Sequence, residues 1–170
     1  EPEMVNEDSD LYRAHPDWAI IVPGRTPSLG RHQLTLDLSR TEVVDHIHGW
    51  LDALLKSAPI DYVKWDMNRN MTDIGSGAKA HRYMLGLYDL LERLTVAHPN
   101  VLFEACASGG NRFDLGMLSF MPQGWISDMC DPVGRLSIIH GASHLFPTDV
   151  MAAYIGPSPN HPNGRIRALS

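Results

Sequence analysis

Three short apolar runs in this chain each end on a residue capable of chemistry, and an amphipathic helix pattern or a second helical stretch separates one from the next. Ile60-Asp61-Tyr62-Val63 leads into Lys64-Trp65-Asp66, Val101-Leu102-Phe103-Glu104-Ala105 into Cys106, and Gly124-Trp125-Ile126-Ser127 into Asp128. Strands alternating with helices predict a parallel sheet joined by right-handed crossovers. Reactive residues delivered by several successive strand ends are the pattern of a (β/α)8 barrel, whose sites lie at the C-terminal ends of its strands. An open doubly wound sheet is the rival, but no GxGxxG or P-loop run follows any strand. The 170 residues fall well short of the roughly 250 of a full barrel. The expected fold is therefore α/β, a partial (β/α)8 TIM barrel. Residues 1–170 would form one segment covering roughly the third to seventh strands.

Local patterns fill in the elements. Residues 1–32 read as irregular, interrupted by Pro2, Pro16, Pro23, Pro27, Gly24 and Gly30. Residues 33–38 alternate polar and apolar, as a short strand does. Ser39 with Glu42 three residues on reads as a capping box. The helix it opens carries Val43, Val44, Ile47, Trp50, Leu51, Leu54 and Leu55 inward, and Pro59 ends it. In the strand 60–66, Tyr62, Lys64 and Asp66 share one face, and Trp65 points the other way to pack behind it. A polar loop over 69–79 precedes a helix from about Ala80 to Ala97, with Met84, Leu85, Leu87, Tyr88, Leu91 and Leu94 inward. A strand over 101–106 ends at Ser108-Gly109-Gly110, a short helix spans 114–120, and a strand spans 124–128. Pro132 suits the first turn of a further helix, and residues 156–164 form a long turn-rich loop.

Composition excludes several classes. A net charge of −6 argues against a nucleic-acid partner and against an anionic membrane surface. No apolar run approaches the roughly 20 residues that cross a bilayer. Cys106 and Cys130 form neither a disulfide framework nor a CxxC zinc pattern. His46 and His48 lie two apart on a helix and face different ways. The expectation is no metal and no organic cofactor. Glu1-Pro2-Glu3-Met4 opens without an initiator Met, so the chain is expected to be cut from a longer one. The lack of a signal sequence then leaves the compartment open.

Asp66 and Asp128 end strands separated by one intervening strand. A carboxylate pair flanking a labile bond is the machinery of glycoside hydrolysis: one attacks the anomeric carbon, the other protonates the leaving oxygen and later activates water. Retention requires the two to stand roughly 5–5.5 Å apart. Lys64 beside Asp66 favours its ionised form, and Trp125, Ile126 and Met129 around Asp128 favour a protonated one. Either aspartate could instead be structural. On the residues alone Cys106 reads first as a small buried hydrophobe and Arg31 as a surface loop residue, while Gly109-Gly110 reads equally as a simple turn.

Several blocks in order resemble the retaining α-galactosidases of glycoside hydrolase family 36. They are Glu1-Pro2-Glu3-Met4-Val5, Gly30-Arg31-His32-Gln33-Leu34, Lys64 to Arg69, Cys106 to Asp114, Trp125 to Asp128 with Arg135-Leu136, and Pro159-Asn160-His161. The resemblance implies Asp66 as catalytic nucleophile and Asp128 as acid/base. It implies Lys64 and Asn68 as contacts to sugar hydroxyls, Arg31 at the galactose pocket, and Cys106 with the Gly109 backbone lining that pocket. It also implies an α-galactoside oligosaccharide as the partner and a homo-oligomeric intact enzyme.

The sequence departs from the family after Asp128. Met129-Cys130-Asp131-Pro132 replaces a small polar run, which makes this rim less polar and brings a second aspartate, Asp131, close to the acid position. Family members also carry an N-terminal β-sandwich, the first barrel strands and a C-terminal β-domain, none expected in residues 1–170. Galactosyl transfer, action on an N-acetylgalactosaminide, and a noncatalytic carbohydrate-binding role are the alternatives.

Overall fold

The computed structural model describes residues 1–152. The chain divides into two compact units, Glu1–Leu102 and a second from Phe103 onward.

The first unit begins with strand β1 (Met4–Asn6), paired antiparallel with β2 (Gln33–Thr35) so that Met4 faces Thr35 and Val5 faces Leu34. Between them lie helix α1 (Asp10–Ala14), capped by the Ser9 hydroxyl accepting the Tyr12 N–H, and a 3-10 turn over Pro16–Trp18. Residues 1–32 are thus more ordered than their prolines predict. Pro16 opens the 3-10 turn instead of breaking an element. The strand expected over 33–38 stops at Thr35, because the next residues bond elsewhere. The Leu36 N–H donates to the Glu3 carbonyl at 2.9 Å and the Asp37 N–H to the Trp18 carbonyl at 2.7 Å.

Helix α2 (Thr41–Ser57) buries Val43, Val44, Ile47, Leu51 and Leu55 and packs on α3 (Gly77–Ala97), which buries Tyr83, Leu87, Leu90, Leu91 and Leu94. Each buried aliphatic side chain contributes roughly 1.5–3 kcal/mol. The buried ladder of α2 runs 43, 47, 51, 55. Trp50 and Leu54 each stand one position ahead of a ladder residue and are 42% and 47% exposed, so the expected core role of Trp50 is corrected. The capping box is corrected too. Arg40 is the N-cap, without a side-chain bond. The Ser39 hydroxyl donates to Asp37 Oδ1 and the Glu42 carboxylate takes the Arg40 guanidinium, so both box residues are engaged elsewhere. Helix α3 starts at Gly77, earlier than expected, because the Ser76 hydroxyl caps it on the Lys79 N–H. Between the helices runs β3 (Tyr62–Asp66). Its Trp65 is fully buried, packing behind the strand as expected; Tyr62 and Lys64 are exposed and Asp66 is half-buried.

The second unit carries parallel strands. β4 (Leu102–Cys106) pairs with β5 (Gln123–Trp125), Glu104 facing Gln123, and β5 pairs with β6 (Met151–Ala152). Helix α4 (Leu115–Leu118), capped by Asp114, lies between β4 and β5. Helix α5 (Pro132–Ala142) lies between β5 and β6, with Pro132 in its first turn as expected. Parallel strands with helical crossovers are the architecture of a barrel segment. The turn-rich stretch 156–164 and Pro159-Asn160-His161 lie outside the described residues.

Candidate active site

In the first unit, β3 and the turn before β2 deliver four of the residues singled out from sequence. Lys64 and Asp66 share the open face of β3, and Asn68 follows two residues past its end. Arg31 sits in a two-residue turn closed by reciprocal bonds between Gly30 and Gln33, with φ of 52° at Arg31 and 60° at His32. A left-handed conformation costs a non-glycine residue about 1–2 kcal/mol, so the surrounding contacts must hold it. The Asn6 amide does so by donating to the His32 carbonyl at 2.8 Å. The structure brings Arg31 and Asn68 together at one carboxylate. Glu1 Oε1 accepts from the Arg31 guanidinium at 3.0 Å and from the Asn68 side-chain amide. The Arg31 side chain is 65% exposed, so this ion pair adds little stability. The Arg31 guanidinium remains largely open to solvent.

Beneath that face lies a buried network. Glu3 is fully buried; its carboxyl accepts the Trp65 indole N–H at 2.8 Å and the Tyr83 phenol. It ties β1, β3 and α3 together directly behind Lys64 and Asp66. The loop after β3 is fixed by a second buried group, Arg69–Asp73 at 2.7 Å, with side chains 3% and 4% exposed. Arg69 also donates to the Ser28 carbonyl, and Asp73 accepts the Ser28 N–H at 3.2 Å. Burial pushes the Asp73 carboxyl up, but the Ser28 N–H and the Arg69 guanidinium together hold it below the ordinary range.

In the second unit, Cys106, Gly109 and Asp128 converge. Cys106 is buried at the end of β4 beside Trp125 and Ala152. The next residues turn sharply: Ser108 has φ 47° and Gly109 φ 83°, and the Ala107 N–H donates to the Gly109 carbonyl at 3.0 Å. A side chain on Gly109 would lie 3.1 Å from the Asp128 nitrogen, and one on Gly110 2.4 Å from the Ile126 carbonyl oxygen. The pair is therefore a close approach of two backbones, beyond a simple turn. Asp128 lies three residues past the end of β5, in a loop, where a strand end was expected. The expected apolar shelter is also corrected. Among the described residues Asp128 is exposed, as is Met129, and Asp128 Oδ1 accepts the Trp125 indole N–H at 2.8 Å. Asp131 is the N-cap of α5, its carboxylate accepting the Gly134 N–H at 2.8 Å.

The melibiase family profile matches residues 1–170. The chain belongs to the melibiase family. The α-galactosidase AgaA of Geobacillus stearothermophilus is 52% identical over 177 residues, covering 99% of this chain and 24% of that relative. Alpha-galactosidase 1 of Pediococcus pentosaceus is 51% identical over 178 residues, covering 100% of this chain and 24% of that relative. The melibiase chain thus spans 24% of the length of these curated relatives. The crystal structure of the glycoside hydrolase family 36 enzyme AgaA matches with a TM-score of 0.90 at 50% identity, covering 98% of this chain and 25% of that one. A variant of AgaA solved in complex with raffinose matches with a TM-score of 0.91 at 49% identity, with the same coverage.

Several supporting residues of this melibiase segment escape sequence reasoning. Glu1 and Glu3 belong to the opening motif, but their bonds span 67 residues to Asn68 and 62 to Trp65. Arg135 is another: its guanidinium reaches back to the carbonyls of Ser127 and Met129, both at 2.9 Å. The available signal was charged residues within otherwise apolar motif blocks, since a buried charge requires partners.

Proposed function

We propose that this segment supplies catalytic residues to a retaining exo-α-galactosidase acting on terminal α-D-galactosyl residues of melibiose- and raffinose-type oligosaccharides. The observation that carries the reading is the family membership of the whole chain, with Lys64-Trp65-Asp66 ending a β-strand and Asp128 following another. The printed complex of a relative with raffinose supports the substrate class.

Asp66 is the nucleophile. Its carboxylate bonds to the anomeric carbon as the glycosidic C–O bond breaks, and Asp128 gives its proton to the departing oxygen. Water then attacks the same carbon as its bond to Asp66 breaks, Asp128 takes the water's proton, and galactose leaves with retained configuration and Asp66 again a carboxylate. Lys64, Arg31 and Asn68 donate to sugar hydroxyls. Cys106 and the Gly109 backbone line the sugar pocket, where glycine permits close approach. Residues 1–170 form one segment of the catalytic barrel. Expressed alone, they are expected to show little or no turnover of an aryl α-galactoside; full turnover would refute this division of labour.

The test of the assignment is Asp66→Asn in the full-length protein. Turnover should disappear while the fold and galactose binding, read by calorimetry, persist. A near-normal rate would end the assignment. Galactose binding with no hydrolysis by the unsubstituted protein would point instead to a noncatalytic carbohydrate-binding role.

A further inference from the structure

We propose that Arg135 is the positioning residue for Asp128, setting both the backbone and the side-chain orientation of the acid/base. This rests on the reading of Asp128 given above. Arg135 lies in the first turn of α5 and is only 2% exposed, though it carries a charge that burial disfavours. Its side chain turns back onto the loop that precedes its own helix. Nη2 donates to the Ser127 carbonyl and Nε to the Met129 carbonyl, each at 2.9 Å. One planar guanidinium therefore grips the carbonyls on both sides of Asp128. The same group lies over the Trp125 ring, 4.8 Å from its centroid, and the Trp125 indole N–H holds Asp128 Oδ1 at 2.8 Å. On another side the loop meets Gly109, where a Cβ would be tight at 3.1 Å, and Gly110, where one would lie only 2.4 Å from the Ile126 carbonyl oxygen.

The result is a three-point restraint on one carboxyl: two carbonyls fixed by Arg135, and the carboxyl oxygen fixed by an indole that Arg135 covers. A rigid fork with several donors can do this; a lysine, a point charge on a flexible stem, can satisfy one carbonyl at a time. The loop is irregular and the Asp128 side chain is exposed among the described residues, so no strand ladder fixes the acid. Arg135 takes the place of that ladder, beside the backbone contact with Gly109 and Gly110.

The consequence is specific to acid/base work. A misplaced acid matters most when the leaving oxygen is basic and needs a proton, and least when it departs readily as a stable phenolate. In the full-length protein, Arg135→Met should lower kcat/KM on raffinose about tenfold to a hundredfold. On 2,4-dinitrophenyl α-galactoside the loss should be about threefold or less. Arg135→Lys should recover part of the raffinose rate. Trp125→Phe, which keeps the ring and loses the N–H, should shift the same ratio in the same direction. Azide, a nucleophile that needs no general base, should raise turnover of the dinitrophenyl substrate in Arg135→Met and in Asp128→Ala.

Asp128→Ala is the reference. If it shows the leaving-group dependence and the Arg135 variants share it, the proposal stands. If it does, but Arg135→Lys and Arg135→Met lose equally on both substrates or not at all, Arg135 is only structural and the proposal is overturned while the acid assignment survives. If Asp128→Ala lacks the dependence, the acid assignment itself fails and the proposal falls with it. Should Arg135→Met not fold, Arg135→Lys and Trp125→Phe decide the matter by the same ratio.

Discussion

Gly110→Ala is the substitution whose effect follows most directly from the coordinates. An ideal Cβ on Gly110 would lie 2.4 Å from the Ile126 carbonyl oxygen and 3.1 Å from its carbon. A close-packed interior does not accept Cβ contacts below roughly 3 Å, so the backbones must part by about 0.6 Å. Neither obstacle is a flexible side chain that could swing away. Overpacking of this kind costs about 1–3 kcal/mol of stability. The segment pushed aside leads straight into Asp128, two residues on. A misplacement near 1 Å at a reacting group costs on the order of 10²-fold in rate, so kcat on an aryl α-galactoside should fall about tenfold or more. Thermal unfolding and steady-state kinetics on one preparation separate the two effects, because saturating substrate and a temperature far below the transition isolate the rate of folded enzyme. Gly49→Ala is the control. Nothing lies within 4 Å of its Cβ position inside α2, so it should gain about 1 kcal/mol of stability from helix propensity with no change in rate. Gly110→Ala with a wild-type kcat would refute the reasoning, even if its stability fell.

Other perturbations test the scaffold. Asp73→Ala strands the buried Arg69 guanidinium and should cost about 3–5 kcal/mol in denaturant unfolding; a loss under 1 kcal/mol would mean that water reaches the pair. Trp65→Phe removes the indole donor to buried Glu3 and should cost about 1–3 kcal/mol. A double-mutant cycle with Glu3→Gln should show coupling above about 0.5 kcal/mol, and strict additivity would contradict the network. Asp37 gives the pH dependence. Burial pushes its carboxyl up, but the Lys79 ammonium at 2.8 Å and the Ser39 hydroxyl together hold it below the ordinary value. A folded-state pKa below the unfolded one stabilises fully above the unfolded pKa, near 3.8, and the benefit is lost as pH falls through the folded value. Stability measured from pH ~6 down to ~2 should therefore fall less steeply in Asp37→Asn than in the parent; parallel curves would exclude a role for this pair in acid unfolding.

Much of the architecture was legible because it is local. The i, i+4 ladder of α2, the positions Leu87, Leu91 and Leu94 of α3, and Pro132 in the first turn of α5 all follow from spacing within one element, whereas Leu85, expected inward, is 53% exposed and Tyr83 and Leu90 are buried instead. Trp65 behind β3 follows from strand alternation. What escaped is long-range. The three residues of β1 are too few to show a period, and they become a strand only by pairing with β2 almost thirty residues away. The capping box at Ser39 failed because Asp37 and Arg40, each two residues from the side chain it engages, offered better partners than the helix N–H groups did. Trp50 was misjudged because a helical wheel shows which residues share a face but not how wide a strip the neighbouring helix covers. For the site, residue types named the candidate donors and carboxylates. They did not reveal that Glu1 gathers Arg31 and Asn68, or that Asp128 sits in a loop gripped by Arg135, since both depend on contacts set by tertiary structure.

The central claim is that Asp66 forms the covalent bond to the sugar. It is tested most directly by incubating the full-length protein with an activated fluorosugar α-galactoside whose glycosyl-enzyme hydrolyses slowly, then digesting it and sequencing the labelled peptide by mass spectrometry. The account predicts one galactosyl adduct, on Asp66 in the peptide containing Lys64-Trp65-Asp66-Met67. An adduct on Asp128 or any other carboxylate, or active enzyme that turns the reagent over without ever carrying a label, would contradict it.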